Sequence, residues 1–211
     1  MAIRIITEKR EESLALKSHW WGFPDLPEGV DFPTIPDAEP DPEAEDENLL
    51  TFICQINLAD IAAYDTENRL PHTGFLYFFA ALDYFLGDLD APSGHIGFWP
   101  DQLFKVIYTP ETVDLHTHRV QWADGTDACL PAEGLRFEET TPNADGQKLL
   151  GVPYYEEIRD EAPGDISLLQ LDEEDRWGLR FYDCGMVNFL ISPQDLAAKR
   201  FDKVKLYFHS L

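Results

Sequence analysis

Asp114, His116 and His118 stand two apart in the run VDLHTH, so on an extended strand all three side chains project from one face. Two imidazoles and a carboxylate are legitimate zinc ligands. The set is one ligand short of a closed tetrahedral site, and nothing beside it in sequence orients the rings. The expectation is a polar, solvent-facing strand face, with no metal and no cofactor.

Two acidic stretches invite a calcium reading. In DEEDRWGLRFYD, residues 172–183, Trp177 occupies the sixth position, where the loop needs glycine, and Asp183 the twelfth, where it needs Glu. The window from Asp37 places Pro42 at its sixth position and fails in the same way. Among nucleophiles, Cys54 lies in an apolar run and Cys184 in YDCG, with no neighbour in sequence to lower a thiol pKa. The third cysteine, Cys129, is far from both, and three unclustered cysteines argue for reduced thiols. No G-x-S-x-G, phosphate-binding glycine loop, H-E-x-x-H or C-x-x-C occurs, so no catalytic residue is assigned.

A more selective pattern is polar. Gln55 and Asn57 alternate on one strand and Gln170 and Asp172 on another, away from the apolar residues Phe52, Cys54 and Ile56 of the first. If the two strands are neighbours, these four groups form a strip able to hold a peptide or sugar, with Trp20 and Trp21 as an aromatic wall. The alternative is that the polar groups satisfy nearby loop backbone and the tryptophans seal the core.

The elements that must carry these residues are mostly strands. LLTFICQINL, FLYFFAAL, LFKVIYT, VDLHTHRVQW, LRFEET, SLLQLD, LRFY, MVNFLI and KVKLYFHS all read as β, while helical signals are short and few. Thr7 before EKREESLALKS predicts an N-capped first helix. The proline-rich WGFPDLPEGVDFPTIP predicts a loop laid across the fold by Trp20, Trp21, Phe23 and Phe32. Residues 37–48 hold seven acids and no base, and predict a mobile acidic loop. The fold class is α+β: β-rich, mostly antiparallel sheets with a few short helices, over one domain spanning 1–211.

Two internal echoes stand out. INLADIAAY (56–64) and ISPQDLAAK (191–199) share a capped helix start, with Asn57 and Ser192 as caps, which convergence explains. QIN before GFLYFF and QLD before GMVNFL share a strand, excursion, glycine, strand order. That second echo predicts a weak internal duplication of a two-strand unit.

FICQINLADI, LPHTGFLYFF, KVIYTP, LLGVP and LLQLDEED with YDCGMVNFLISPQDLAAKRFDKV together resemble the YwqG-like family, domain of unknown function 1963, from GFPDLPEGVDFP to the C-terminus. The resemblance implies a bacterial, soluble, β-rich domain with no assigned activity and no catalytic residue to carry over. Its members resemble accessory proteins near toxin–immunity loci.

Forty acids against sixteen bases give a net charge of −24. That field disfavours nucleic acid and anionic membranes and favours a basic protein partner. The segment MAIRIITEKREESLALK is too charged for a secretory signal, and the expected location is cytoplasmic. The expected function is a non-enzymatic binding or accessory protein, of immunity type, contacting a basic protein. The alternative is a small-molecule, peptide or sugar-binding domain, or a hydrolase with a site not legible in the sequence.

Overall fold

The computed structural model describes residues 1–10, 12–36 and 48–211. Its strands in chain order are β1 (Ala2–Glu8), β2 (His19–Trp20), β3 (Asp25–Pro27), β4 (Thr51–Asn57), β5 (Phe75–Ala80), β6 (Gly97–Phe98), β7 (Phe104–Thr109), β8 (Leu115–Thr117), β9 (Glu133–Thr140), β10 (Lys148–Leu149), β11 (Ile166–Asp172), β12 (Met186–Ile191) and β13 (Lys205–His209). Three short helices join them: α1 (Leu58–Ile61), α2 (Glu156–Glu161) and α3 (Pro193–Ala197). The acidic loop expected at 37–48 lies, but for Asn48, outside the described residues.

Eleven strands form one sheet in the order β6-β13-β12-β11-β10-β1-β9-β2-β4-β5-β7, and β3 with β8 forms a separate ribbon. The pairings are antiparallel throughout. β1 and β9 make the central pair, and each side continues outward through a two-residue strand, β10 or β2, to longer apolar strands. The sheet bends sharply. Six strands separate β5 from β12, so a flat sheet would hold them roughly 33 Å apart at ~4.8 Å per strand. The rings of Phe78 and Phe189 nevertheless meet at 5.2 Å. The inner faces of the two halves therefore pack on each other, and strands such as β5 and β12 are buried along their whole length.

Three local expectations are corrected. No helix starts at Thr7. β1 pairs with β9 from Ala2↔Thr140 to Glu8↔Gly134, which takes Ile3 and Ile5 out of water. Local helical propensity in EKREESLALKS is a weak prior against that long-range ladder. In β4 the pairing shifts from Phe52↔Phe79 to Cys54↔Phe78, so Ile53 is an extra, bulged residue. The bulge puts Phe52 on the face of Gln55, opposite Cys54 and Ile56, and both faces of β4 are buried. LRFY (179–182) is a turn rather than a strand, with Leu179 in an isolated bridge to Glu174 and Tyr182 at φ 64°.

The outer face of each half is covered by irregular chain. Segment 16–35 lies on the β2-β4-β5 side, where Phe32 packs at 5.4 Å on Phe79. On the other side, Ile158 and Ala162 of the α2 region pack with Leu190 and Tyr207. Among the described residues no helix is long and apolar enough to cross a membrane.

Candidate functional site

Cross-strand pairing places His19, Gln55 and Tyr77 in one row on the outer face of one half. It places Lys148, Gln170, Asn188 and Tyr207 in a matching row on the other. The two glutamines are fully buried and clasp the covering segments alike. Gln55 Oε1 accepts from Asp25 N at 2.8 Å and Gln170 Oε1 from Tyr154 N at 3.0 Å. Gln55 Nε2 donates to Lys17 O at 2.9 Å and Gln170 Nε2 to Gly146 O at 2.8 Å. Asn57 N and Asp172 N continue the pattern, donating to Ser18 Oγ and Gln147 Oε1, each at 2.9 Å.

The strip expected from Gln55, Asn57, Gln170 and Asp172 is not formed, because β10, β1, β9 and β2 stand between β4 and β11. Each pair instead satisfies the backbone of its own covering segment, as a buried amide must where no water reaches it. Trp20 and Trp21 do not form an open wall: they are 0% and 1% exposed and pack edge-on against Trp177 at 5.3 and 5.1 Å.

Asp114, His116 and His118 are not brought together as one face. The strand covers only Leu115–Thr117; Asp114 precedes it at φ 58°, His116 is exposed, and the half-buried His118 ring lies 6.1 Å from Phe32. Among the described residues no group of three or more His, Cys, Asp or Glu is placed to hold a metal ion.

The clasps position two clefts. One, of about 430 Å³, lies beside His19, Gly22 and Phe23 and is closed by Thr117, Arg119 and Cys129. His19 Nδ1 is 2.7 Å from Trp21 O, which can only accept, so Nδ1 carries the proton and Nε2 is the basic nitrogen. Burial lowers the His19 pKa and favours that neutral ring. The Asp25 carboxylate is saturated by Leu16 N, Gln55 Nε2 and Thr117 Oγ1 at 2.7–2.8 Å. Burial, then the charges of Asp83 and Asp127, pushes the Cys129 thiol up to about 12, so it is no nucleophile at neutral pH.

The second cleft, of about 680 Å³, lies beside Gly151 and Val152, which follow Lys148 and Leu149 as Gly22 and Phe23 follow His19 and Trp20. The backbone repeats as well. Trp21 at φ 51° and Leu150 at φ 62° each precede a glycine of positive φ and donate to the carbonyl of a bulged residue, Ile53 or Leu168. The sequence signal is the match of HWWGFP (19–24) to KLLGVP (148–153). That signal is weak because the shared residues are only Gly and Pro, while the shared conformation is carried by all six.

A third region is a surface. Tyr155 OH donates to Cys184 O at 2.7 Å, and its ring lies 5.1 Å from Tyr154 and 4.4 Å from His209. Tyr154 and Tyr182 are 43% and 56% exposed. The charge of Asp183, followed by Glu173 and Asp172, holds the exposed Cys184 thiol above its usual value, and burial raises Asp172 itself. Glu173 Oε1 accepts from Phe181 N at 2.8 Å and Gly185 N at 3.4 Å, fixing the turn that presents Tyr182.

The family described as Domain of unknown function (DUF1963) matches residues 18–209. The chain belongs to that family. The matched span of this DUF1963 chain includes both clasp glutamines, most of the lining of both clefts and the Cys184 surface, and begins at Ser18, where the first covering segment is tied to Asn57. No curated protein matches the chain.

Proposed function

We propose that this DUF1963 protein is a non-enzymatic binding protein of the cytoplasm, in an accessory or immunity-type role, whose tyrosine-lined acidic face around Cys184 takes a basic segment of a partner protein. The observation that carries the reading is the grouping of Tyr154 and Tyr155 with Asp172, Glu173 and Asp183 around Cys184. Aromatic faces and carboxylates together suit guanidinium and ammonium groups. Arg180, the base nearest in sequence to Asp183, is already paired with Asp175. The non-enzymatic part of the reading is supported by the protonated thiols and by His19, which is hydrogen-bonded to no serine or cysteine among the described residues.

The test is fluorescence anisotropy with a labelled arginine-rich peptide over a salt series. Tyr154→Ala with Asp183→Asn should weaken binding about tenfold, while Glu156→Gln with Glu157→Gln on α2 should change it less than twofold. Equal weakening by both pairs would reduce the interaction to bulk charge attraction.

We also infer that the two halves derive from a duplicated unit. Support comes from the HWWGFP and KLLGVP backbones, the bulges two residues before Gln55 and Gln170, and the order β2-β4-β5-β7 mirrored by β10-β11-β12-β13.

A further inference from the structure

We infer that the cleft beside Gly151 is a binding site for a small apolar carboxylate, whose acid group pairs with Arg159. The chain has nine arginines. Seven contact a carboxylate: Arg4, Arg10, Arg69, Arg136, Arg176, Arg180 and Arg200. The other two, Arg119 and Arg159, make no ion pair among the described residues, and each lines one of the two clefts. In a protein of charge −24, a guanidinium left without an acid at a cleft wall is a selective feature.

Arg159 is held in place. Its Nη1 donates to Pro153 O at 2.7 Å and Tyr154 O at 2.6 Å. Tyr154 is itself fixed by the buried Gln170. Two of the five guanidinium N–H groups are thus used, and those on Nε and Nη2 have no acceptor among the described residues. They form the planar fork that a carboxylate matches with two parallel hydrogen bonds.

The rest of the wall suits an apolar body: Val152, Ala162, Ile166, Leu196 and Ala197 all line the cleft. Its acids are compensated, Glu67 by Arg69 at 2.6 Å and Asp165 by Lys205 Nζ at 2.6 Å. The Met1 amine shares Glu67 at 3.7 Å, so Arg159 is the guanidinium on the wall with no acid of its own among the described residues. The volume of about 680 Å³ lies within the range of small-molecule sites. The backbone cannot close the cleft by a simple side-chain gain at Gly151, where an added Cβ would meet Pro142 O at 2.3 Å and φ is 84°.

The experiment titrates the full chain with decanoate and with 1-decanol, an uncharged probe of equal chain length, by calorimetry. Decanoate should bind at least tenfold more tightly than decanol. Arg159→Gln should erase that preference while leaving decanol binding unchanged, which a merely structural role for Arg159 would not do. Ala197→Trp, at an exposed position of α3, should block both probes in a protein that unfolds at its normal temperature. Equal affinity of the two probes, an unchanged preference in Arg159→Gln, or no binding of either probe would overturn the assignment.

Discussion

The half built on His19, Gln55 and Tyr77 and the half built on Lys148, Gln170 and Asn188 hold their covering segments by the same hydrogen bonds, yet they bury opposite charges. Beside Gln55 lies Asp25, 2% exposed, whose carboxylate collects three donors. Beside Gln170 lies Lys148, 0% exposed, which donates to Ala144 O at 2.9 Å and to Gln170 Oε1, with no carboxylate in contact. Burial therefore falls on the amine, and the Lys148 pKa drops to about 7. The difference teaches that the glutamine is the fixed part of the clasp, because it answers backbone groups that every sequence carries. Its neighbour in the row is free to vary.

Removing the clasps tests that claim most severely. Gln170→Ala leaves Tyr154 N without its acceptor and Lys148 with one partner, and should cost about 4 kcal/mol in urea unfolding at pH 6. Gln55→Ala leaves Asp25 N and Lys17 O unpaired and should cost about 3 kcal/mol. A loss below about 1 kcal/mol in either variant would show that the covering segment of that half is held by its apolar contacts alone.

Lys148 gives the comparison a pH signature. The unfolded lysine keeps its proton to about pH 10.4, and the folded one releases it near 7. Between these values the unfolded state binds more protons, so stability rises with pH, by roughly 1 kcal/mol per pH unit. Lys148→Met should flatten the unfolding free energy between pH 7.5 and 9.5 and stabilise the protein at pH 6. Both acceptors keep another donor, Gln170 Nε2 on Ala144 O and Tyr154 N on Gln170 Oε1. His19, lowered by burial, contributes its own rise only below about pH 6.5, outside that window. A slope that persists in the Met variant would move the effect to other groups.

The helix caps sharpen the comparison at the smallest scale. Asn57 Oδ1 accepts from Ala59 N at 3.1 Å after β4, and Ser192 Oγ accepts from Asp195 N at 3.0 Å after β12. Ser192→Ala should lower stability by about 1 kcal/mol. Asn57→Ala should cost slightly more, since Asn57 Nδ2 also donates to Leu16 O at 3.2 Å. Matching losses with unchanged urea slopes would show that the Leu16 contact adds nothing to the Asn57 cap.

These caps also show what was legible in the sequence. INLADIAAY and ISPQDLAAK look alike, but they follow β4 and β12, which are not counterparts in the sheet order, so capping chemistry alone explains them. The QIN and QLD echo falls on strands that do correspond. Its glycines have a steric cause: a Cβ would lie 2.1 Å from Thr109 O at Gly74 and 2.1 Å from Phe181 O at Gly185. The strands at FICQIN, FLYFF, MVNFLI and KLYFH were readable because β-branched and aromatic runs mark them locally, whereas β1 was not, since its pairing with β9 is long-range. The bulges at Ile53 and Leu168 were not, since an extra residue leaves the composition of a strand unchanged while reversing which side its neighbours face. The Arg159 cleft was likewise invisible, because its walls come from segments near residues 69, 151, 159 and 196 that meet only after the sheet bends.

The Trp177 contact carries a spectroscopic consequence. Trp177 follows β11, belongs to one half, and packs against Trp20 and Trp21 of the other while its Nε1 donates to Glu133 of β9 at 2.6 Å. Three of the five tryptophans thus sit at the junction between the halves. Intrinsic emission in this protein is therefore a local gauge of whether the two halves remain docked, and Trp177→Phe would leave that report to Trp20 and Trp21 on one side of the junction.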